Sequence, residues 1–192
     1  MSQILSFSGH RFPNAERLSE AEMLIFLSFL KKQLQIFFDT QTVAKYKLEN
    51  ISAFVCGGQV GFDFAAQQFA IEAGIPLVIA LPYNYNLFTA RWDSDKFRKI
   101  LSQHMAYATD IVIVDTEPYY KHKYGLSIGE YHVAKLQWRN QYMIDNSDTT
   151  IFYLNPATTK GGTCNAFKYC QKIAKPHYNM WTEFNEYLLL PV

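Results

Sequence analysis

The chain has 192 residues and a formal net charge of +1, with 49% hydrophobic, 18% charged and 16% aromatic residues. This apolar content argues against intrinsic disorder, because burial of side chains can offset the entropy lost on ordering. The balance of 18 basic and 17 acidic residues argues against a strongly cationic nucleic-acid-binding surface, although a local patch stays open. We expect one domain over residues 1–192.

Apolar runs of strand length alternate with helix-like stretches along the chain. In order, the sequence predicts a strand at 4–7, a helix over 23–37, a strand at 51–56, a helix over 62–73, strands at 77–81 and 111–114, a helix over 130–144, a strand at 150–154 and a helix over 163–174. Short strands that are apolar throughout are typical of a parallel sheet covered by helices. The sequence therefore predicts an α/β, doubly wound Rossmann-like fold with a mostly parallel sheet of five or more strands flanked by helices.

Three of the predicted strands lead into glycine-containing turns. The turns read Ser-Gly-His-Arg at 8–11, Gly-Gly-Gln-Val-Gly-Phe-Asp at 57–63 and Thr-Thr-Lys-Gly-Gly-Thr at 158–163. Glycine lets the backbone approach a ligand closely, and a helix N-terminus presents unpaired N–H groups to a phosphate. Because ligands bind at the carboxyl ends of such strands, the sequence predicts a phosphate-binding cleft there. The second turn does not fit G-x-G-x-x-G, so a standard dinucleotide site is not predicted.

Charged and polar residues beside these turns are candidates for ligand contacts. Arg11 and Lys160 supply positive charge, although Arg11 alone is equally consistent with a solvated loop residue. His10 could satisfy its own turn, donate to a phosphate or take part in acid–base chemistry. Asp63 could favour the dipole of its own helix, bind ribose hydroxyls or orient a water molecule.

A second polar segment precedes the last predicted strand. Within it, Arg139 and Asn140 could point into the cleft or lie on a solvated helix end. Arg139 and Asp63 are the catalytic candidates if the protein is an enzyme. The predicted ligand- or phosphate-binding residues are Ser8, Gly9, His10, Arg11, Gly57, Gly58, Gly61, Asp63, Arg139, Asn140, Gly161, Gly162 and Thr163.

The aromatic content includes 13 Tyr and three Trp, and several of these rings lie in predicted loops. Tyr83, Trp92 and Tyr120 are candidates for stacking on a nucleobase, with a hydrophobic plug as an equally weighted alternative for Tyr83 and Trp92. The loop at 118–124 joins aromatic and basic residues, which suits either a single-stranded DNA contact or a lid over a ligand. The segment 180–192 could pack on the domain or form a dimer surface.

The three cysteines, Cys56, Cys164 and Cys170, form no CxxC pair and have no metal-ligand spacing. We therefore expect buried or semi-buried free thiols in a reducing compartment and no metal site. No cofactor is expected apart from a possible nucleotide-like ligand. The N-terminus has no basic segment of a signal peptide, and the most apolar stretch, at 23–30, is shorter than the roughly 20 residues of a membrane span. We expect a cytoplasmic homo-oligomer with no membrane partner.

Five motifs occur in a fixed order. They are Ser-Gly-His-Arg at 8–11, Gly-Gly-x-x-Gly-x-Asp at 57–63, Pro82 with Trp92 downstream, Arg-Asn-x-x-Met-Ile-Asp-x-Ser-Asp at 139–148 and Gly-Gly-Thr at 161–163. This order resembles the SLOG superfamily, with its YpsA/YoqJ-like branch of bacteria and phages as the nearest match. The resemblance covers residues 4–174, and it is the combined order of the motifs that is specific.

The superfamily includes LOG-type nucleoside-monophosphate phosphoribohydrolases, the DNA-processing protein DprA and sensor domains for NAD- or ADP-ribose-derived ligands. The resemblance implies a Rossmann-like fold whose glycine turns hold a nucleotide or a nucleotide-like phosphate. Arg139 matches an arginine of the LOG hydrolases. The LOG glutamate after the Gly-Gly-x-Gly-Thr motif has no counterpart here, because Thr163 is followed by Cys164, Asn165, Ala166 and Phe167.

Three functions follow as hypotheses. The first is a binding module, acting as a sensor or regulator, for a nucleoside phosphate or an NAD- or ADP-ribose-derived small molecule. The second is a nucleotide N-glycosidase in which Asp63 replaces the missing glutamate, since cleavage of an N-glycosidic bond needs a carboxylate. The third is a DprA-like single-stranded DNA binder, which the near-neutral charge disfavours.

Overall fold

A computed structural model describes residues 2–11, 19–39, 50–92, 95–117 and 127–181. The predicted loop at 118–124, with Tyr120, and residues 182–192 lie outside these ranges. The elements are β1 (Gln3–Gly9), α1 (Glu20–Asp39), β2 (Ile51–Gly57), α2 (Phe62–Ala73), β3 (Leu77–Leu81), α3 (Tyr85–Thr89), α4 (Asp95–Tyr107), β4 (Asp110–Ile113), a 3-10 turn (Val114–Thr116), α5 (Val133–Asp145), β5 (Thr149–Tyr153), α6 (Gly162–Lys172) and β6 (His177–Asn179).

The described strands form one six-stranded sheet in the order β4-β3-β2-β1-β5-β6, and every neighbouring pair is parallel. The chain builds outward from β1 to β4 and then returns to place β5 on the other side of β1. In the resulting register Phe7 of β1 lies between Cys56 of β2 and Ile151 of β5. The predicted Rossmann-like α/β fold is confirmed, and the reversal beside β1 creates a crevice at the carboxyl edge of the sheet.

Helices cover both faces of the sheet, as the apolar strands require. On one face Phe54 packs in a core with α1, α2 and α4. On the other face Val55, the next residue of the same strand, packs with Trp138 of α5, and Phe152 packs with Cys170 of α6. Successive side chains of a strand point to opposite faces, so one run of apolar residues serves both cores.

Helices α3 and α4, the 3-10 turn and strand β6 were not predicted, and α4 and β6 show the reason. Helix α4 has a low apolar content, and Phe97, Leu101 and His104 are its buried residues, so its sequence DKFRKILSQHMAY shows a narrow apolar stripe. Strand β6 is three residues long and reads His-Tyr-Asn, which is not an apolar run. Both elements owe their structure to tertiary contacts more than to local pattern.

Two further observations concern the cysteines and the length of the apolar helices. The three cysteines are buried free thiols, as predicted. Among the described helices, none combines the length and the apolar character needed to cross a membrane.

The close approach of β1 to α2 gives a first testable prediction. A Cβ added at Gly9 would lie 2.4 Å from the Cβ of Phe62, a fully buried residue at the start of α2. Overpacking of this kind costs about 1–3 kcal/mol, so Gly9→Ala should lower the free energy of unfolding by that amount in urea denaturation. Gly162→Ala is the matched control, because its Cβ would meet no atom closer than 3.8 Å. Equal stability of the two variants would contradict the packing.

Candidate functional site

A cleft of about 740 Å³ lies at the carboxyl edge of the sheet, at the crevice between the ends of β1 and β5. This volume suits a ligand of nucleotide size. The cleft is lined by Ser8, Gly9, His10, Arg11, Gln59, Asp63, Val133, Leu136, Gln137, Arg139, Asn140, Tyr153, Asn155, Thr158, Lys160, Gly161, Gly162, Thr163 and Trp181. The three predicted turns therefore converge on one cavity, although ligand binding by them stays a prediction.

A buried ion pair forms part of the wall of the cleft. The Nη1 group of Arg139 donates to Oδ2 of Asp63 at 3.0 Å, and the two side chains are 6% and 5% exposed. The backbone N–H of Gln59 donates to the same Oδ2 at 3.2 Å. Because Asp63 lies on α2 and Arg139 lies on α5, the pair joins helices from opposite faces of the sheet across its edge.

Burial and charge act in opposite directions on this pair. Burial raises the pKa of the Asp63 carboxyl, and the charge of Arg139 opposes that rise. Burial lowers the pKa of the Arg139 guanidinium, and the charge of Asp63 counters it. Each group is thus kept ionised chiefly by the other, since neither charge is solvated by bulk water.

The glycines of the second turn support the ion pair and the backbone. A Cβ at Gly57 would lie 1.4 Å from Nη1 of Arg139 and 2.4 Å from Oδ2 of Asp63, so glycine makes room for the contact. A Cβ at Gly58 would lie 2.7 Å from Leu81, and Gly61 precedes α2 with a φ of 122°. These three predicted ligand residues do not line the cleft.

The ion pair leaves hydrogen-bonding capacity unused. Nε of Arg139 is buried and has no hydrogen-bond partner among the described residues. Oδ1 of Asp63 also has no partner there, since both bonds of this carboxylate go to Oδ2. Buried polar groups in proteins are nearly always paired, so the unpaired Nε of Arg139 is an exception.

The N-terminus of α6 opens into the same cleft. Gly161 precedes the helix with a φ of 105°, and no side chain caps it. The first bond within the helix runs from the N–H of Asn165 to the carbonyl of Gly161, so the earlier N–H groups have no helical partner. Hydrogen bonds fix this turn: Thr163 Oγ1 donates to the Gly9 carbonyl at 2.9 Å, and Asn140 Nδ2 donates to the Gly162 carbonyl at 3.3 Å.

Two of the predicted stacking residues, Tyr83 and Trp92, do not line the cleft, and Tyr120 lies outside the described residues. The Tyr83 side chain is 1% exposed, and its hydroxyl donates to the His132 carbonyl at 3.1 Å, so its ring has no face free for a base. Trp92 packs edge-on against Phe64 and Phe88 in the core and does not line the cleft. Trp92 therefore matches the alternative prediction, that of a hydrophobic plug, and not that of a base-stacking residue.

Two aromatic residues that the sequence did not single out as stacking candidates do line the cleft. They are Tyr153, at the end of β5, and Trp181, two residues after β6. The placement of β6 beside β5 brings Trp181 to this edge, and the polar sequence of that strand does not predict it. Among the described residues there is no group of three or more His, Cys, Asp or Glu side chains that could hold a metal ion.

The six-stranded parallel order, with glycine turns meeting at its point of reversal, defines a Rossmann-like α/β protein. The DNA processing protein A (DprA) from Streptococcus pneumoniae has a similar fold, with a TM-score of 0.55 and 12% sequence identity. The match covers 93% of this chain but 50% of the DprA chain, so the chain spans half the length of that protein. No family model matches the chain.

Sequence similarity gives the narrower assignment. The uncharacterized SPbeta prophage-derived protein YoqJ of Bacillus subtilis (strain 168) is 30% identical over 145 residues, which cover 71% of this chain and 81% of YoqJ. The chain belongs to the YoqJ family, and its fold is similar to that of DprA.

Proposed function

We propose that this protein binds a nucleotide-derived small molecule, a nucleoside phosphate or an ADP-ribose-like compound, as a sensor or regulator. The observation that carries the proposal is a cleft lined by both the uncapped N-terminus of α6 and Arg139, whose buried Nε has no hydrogen-bond partner among the described residues. A ligand phosphate would satisfy donors that the protein itself leaves unpaired.

Charge supports placing the phosphate at α6 rather than at α2. Asp63 occupies the first turn of α2 and offsets the positive end of that helix, whereas the first turn of α6 contains no acidic residue. Arg11 and Lys160 also line the cleft, and Asp63 is the one carboxylate among its described lining residues. The net positive balance suits a dianionic phosphate group.

Asp63 suits a different part of the ligand. Its Oδ1 has no hydrogen-bond partner among the described residues, and a carboxylate accepts hydrogen bonds but repels phosphate. A ribose hydroxyl would donate to this oxygen. The two helix ends thus divide the proposed ligand, with the phosphate at α6 and the sugar near α2.

The same residue favours one enzymatic alternative. A carboxyl whose pKa is raised by burial can serve as an acid or as a charge-stabilising group, and Asp63 meets that condition within the cleft. A nucleotide N-glycosidase is therefore the second candidate. Incubation with nucleoside monophosphates or NAD should then release free base, and Asp63→Asn should abolish the release; an intact substrate pool after long incubation would reject it.

A charge placed at α6 tests the binding proposal without disturbing the fold. A Cβ at Gly162 would have its nearest neighbours at 3.8 Å, and an aspartate in the first turn favours the helix dipole. We expect Gly162→Asp to keep or raise the melting temperature but to weaken phosphate-dependent binding by roughly tenfold or more. Isothermal titration calorimetry with AMP, GMP, CMP, UMP, NAD and ADP-ribose measures the effect.

The matched control is Gly162→Asn, which has nearly the same size and no charge. It should bind within a few-fold of the natural protein. If the aspartate variant binds as tightly as the asparagine variant, the phosphate does not bind at α6. An absence of heat across the panel would reject nucleotide binding. A gel shift with single-stranded oligonucleotides at two salt concentrations separates a DprA-like DNA-binding function from small-molecule binding.

A further inference from the structure

Three rings form one end of the cleft on the α2 side of the sheet. His10 meets Tyr153 and Trp181 edge-on, with ring centroids 6.3 and 5.8 Å apart, and the Tyr153 and Trp181 rings are 4.9 Å apart. Tyr153 also packs on Phe62, the first residue of α2, at 5.5 Å. We call His10, Tyr153 and Trp181 the aromatic wall.

His10 is held in one tautomer within this wall. The backbone N–H of Asn155 donates to Nε2 of His10 at 2.9 Å, so Nε2 carries no proton and the neutral ring carries its proton on Nδ1. Burial lowers the pKa of His10, because desolvation disfavours the charged ring, and this also favours the neutral form. Nδ1 has no hydrogen-bond partner among the described residues, which leaves an oriented neutral donor on a ring that lines the cleft.

The aromatic wall and the phosphate site lie on opposite sides of the sheet edge. Tyr153 and Trp181 belong to the core that contains α2, whereas α6 packs on the other face with Phe152. A free phosphate at α6 would leave the wall uncovered. A molecule that reaches both must carry an anionic group at one end and a flat, weakly polar group at the other.

Building on the proposed function, we propose that the aromatic wall binds the heteroaromatic ring of the nucleotide, with His10 Nδ1–H donating to an acceptor atom of that ring and Trp181 providing the main ring contact. Trp181 and His10 are then specificity-determining residues for the base. Aromatic side chains bind bases of every kind through ring contacts, whereas an oriented N–H donor favours rings with an acceptor at the matching edge.

The test compares ligands with and without a base. Calorimetry uses AMP, GMP, CMP, UMP and ADP-ribose against ribose 5-phosphate, with the natural protein, Trp181→Ala and His10→Phe. We expect the tightest of the five nucleotides to bind roughly tenfold or more tightly than ribose 5-phosphate. Trp181→Ala should remove most of the preference for the nucleotide and leave the affinity for ribose 5-phosphate unchanged. His10→Phe keeps a ring in place but should reduce the same preference. Trp92→Phe is the control, because Trp92 lies outside the cleft.

The outcomes separate the two proposals. Equal affinity for nucleotides and ribose 5-phosphate would contradict base binding at the aromatic wall. So would a Trp181→Ala variant that still prefers nucleotides, or one that loses affinity for both ligands equally. None of these results would contradict the proposed phosphate site. No binding of any probe would overturn both.

Tryptophan fluorescence gives a second measurement that does not depend on the folding of Trp181→Ala. The chain has three tryptophans, of which Trp138 of α5 is buried and Trp92 packs against the core outside the cleft. A base at the wall should therefore change the emission of Trp181 alone. We expect the nucleotide, but not ribose 5-phosphate, to change the emission, and Trp181→Phe to abolish the change. A change that survives Trp181→Phe would overturn the proposal.

Discussion

Replacing Arg139 with methionine should lower the free energy of unfolding at pH 7 by about 3–5 kcal/mol, the range measured when one partner of a buried ion pair is removed. The reason is that Asp63, with a side chain 5% exposed, would keep its charge without the guanidinium that lies 3.0 Å away. Urea denaturation of the variant and the natural protein measures the difference. Lys31→Met is the control, because the Lys31–Glu72 pair is exposed and such pairs contribute about 0–1 kcal/mol.

The loss caused by Arg139→Met should depend on pH in a defined direction. Burial already raises the pKa of Asp63, and removal of Arg139 raises it further above the value in the unfolded chain. The folded variant therefore binds a proton more tightly than the unfolded chain does, so its deficit is largest above the folded pKa and shrinks as the pH falls through that value. Asp63→Asn should rescue part of the loss in the double variant. A deficit that is independent of pH and not rescued would contradict a buried ionised pair.

Lys135→Met should be about as costly, lowering the free energy of unfolding by about 3–5 kcal/mol. The Lys135 side chain is 1% exposed, and its ammonium donates to Oδ2 of Asp115 at 3.2 Å and to the carbonyls of Ser127 and Glu130 at 2.5 and 2.7 Å. Without it, Asp115 keeps the N–H of Gly129 as its remaining partner among the described residues, and two carbonyls lose their donor.

Chemical denaturation compares Lys135→Met with Lys168→Met. Lys168 is a suitable control because it is exposed and donates to one carbonyl, that of Thr159. We expect the control to stay within about 0.5 kcal/mol of the natural protein. If both variants lost the same small amount, Lys135 would not hold the segment before α5. Hydrogen exchange at Gly129 should also become faster in Lys135→Met, because its acceptor Asp115 loses its position.

The two buried ion pairs are contacts that local sequence pattern does not predict. Asp63 and Arg139 could each be singled out, since one follows a glycine turn and the other lies in a polar motif. Their contact could not be deduced, because the two residues are 76 positions apart. Their side chains meet at the sheet edge only because the fold places α2 and α5 on opposite faces of the sheet. Lys135 gave no signal at all, since a lysine on an amphipathic helix is solvated far more often than it is buried.

The aromatic residues show the same limit at the candidate site. Apolar strands and glycine turns identify the fold and the cleft because short-range pattern determines both. Which rings line the cleft depends on packing, and so Tyr83 is buried while Trp181 reaches the edge beside a strand of three residues.

The central claim is that a phosphate-bearing nucleotide binds at the N-terminus of α6 next to Arg139. The most direct measurement is an amide and guanidinium NMR titration of the 15N-labelled protein with the tightest nucleotide of the panel and with the matching nucleoside. We predict that the nucleotide shifts the N–H signals of Gly162 and Thr163 and the Nε–H signal of Arg139, and that the nucleoside leaves the Gly162 and Thr163 signals unchanged. Binding that leaves these three signals in place, or that shifts them equally with the nucleoside, would contradict the proposed site.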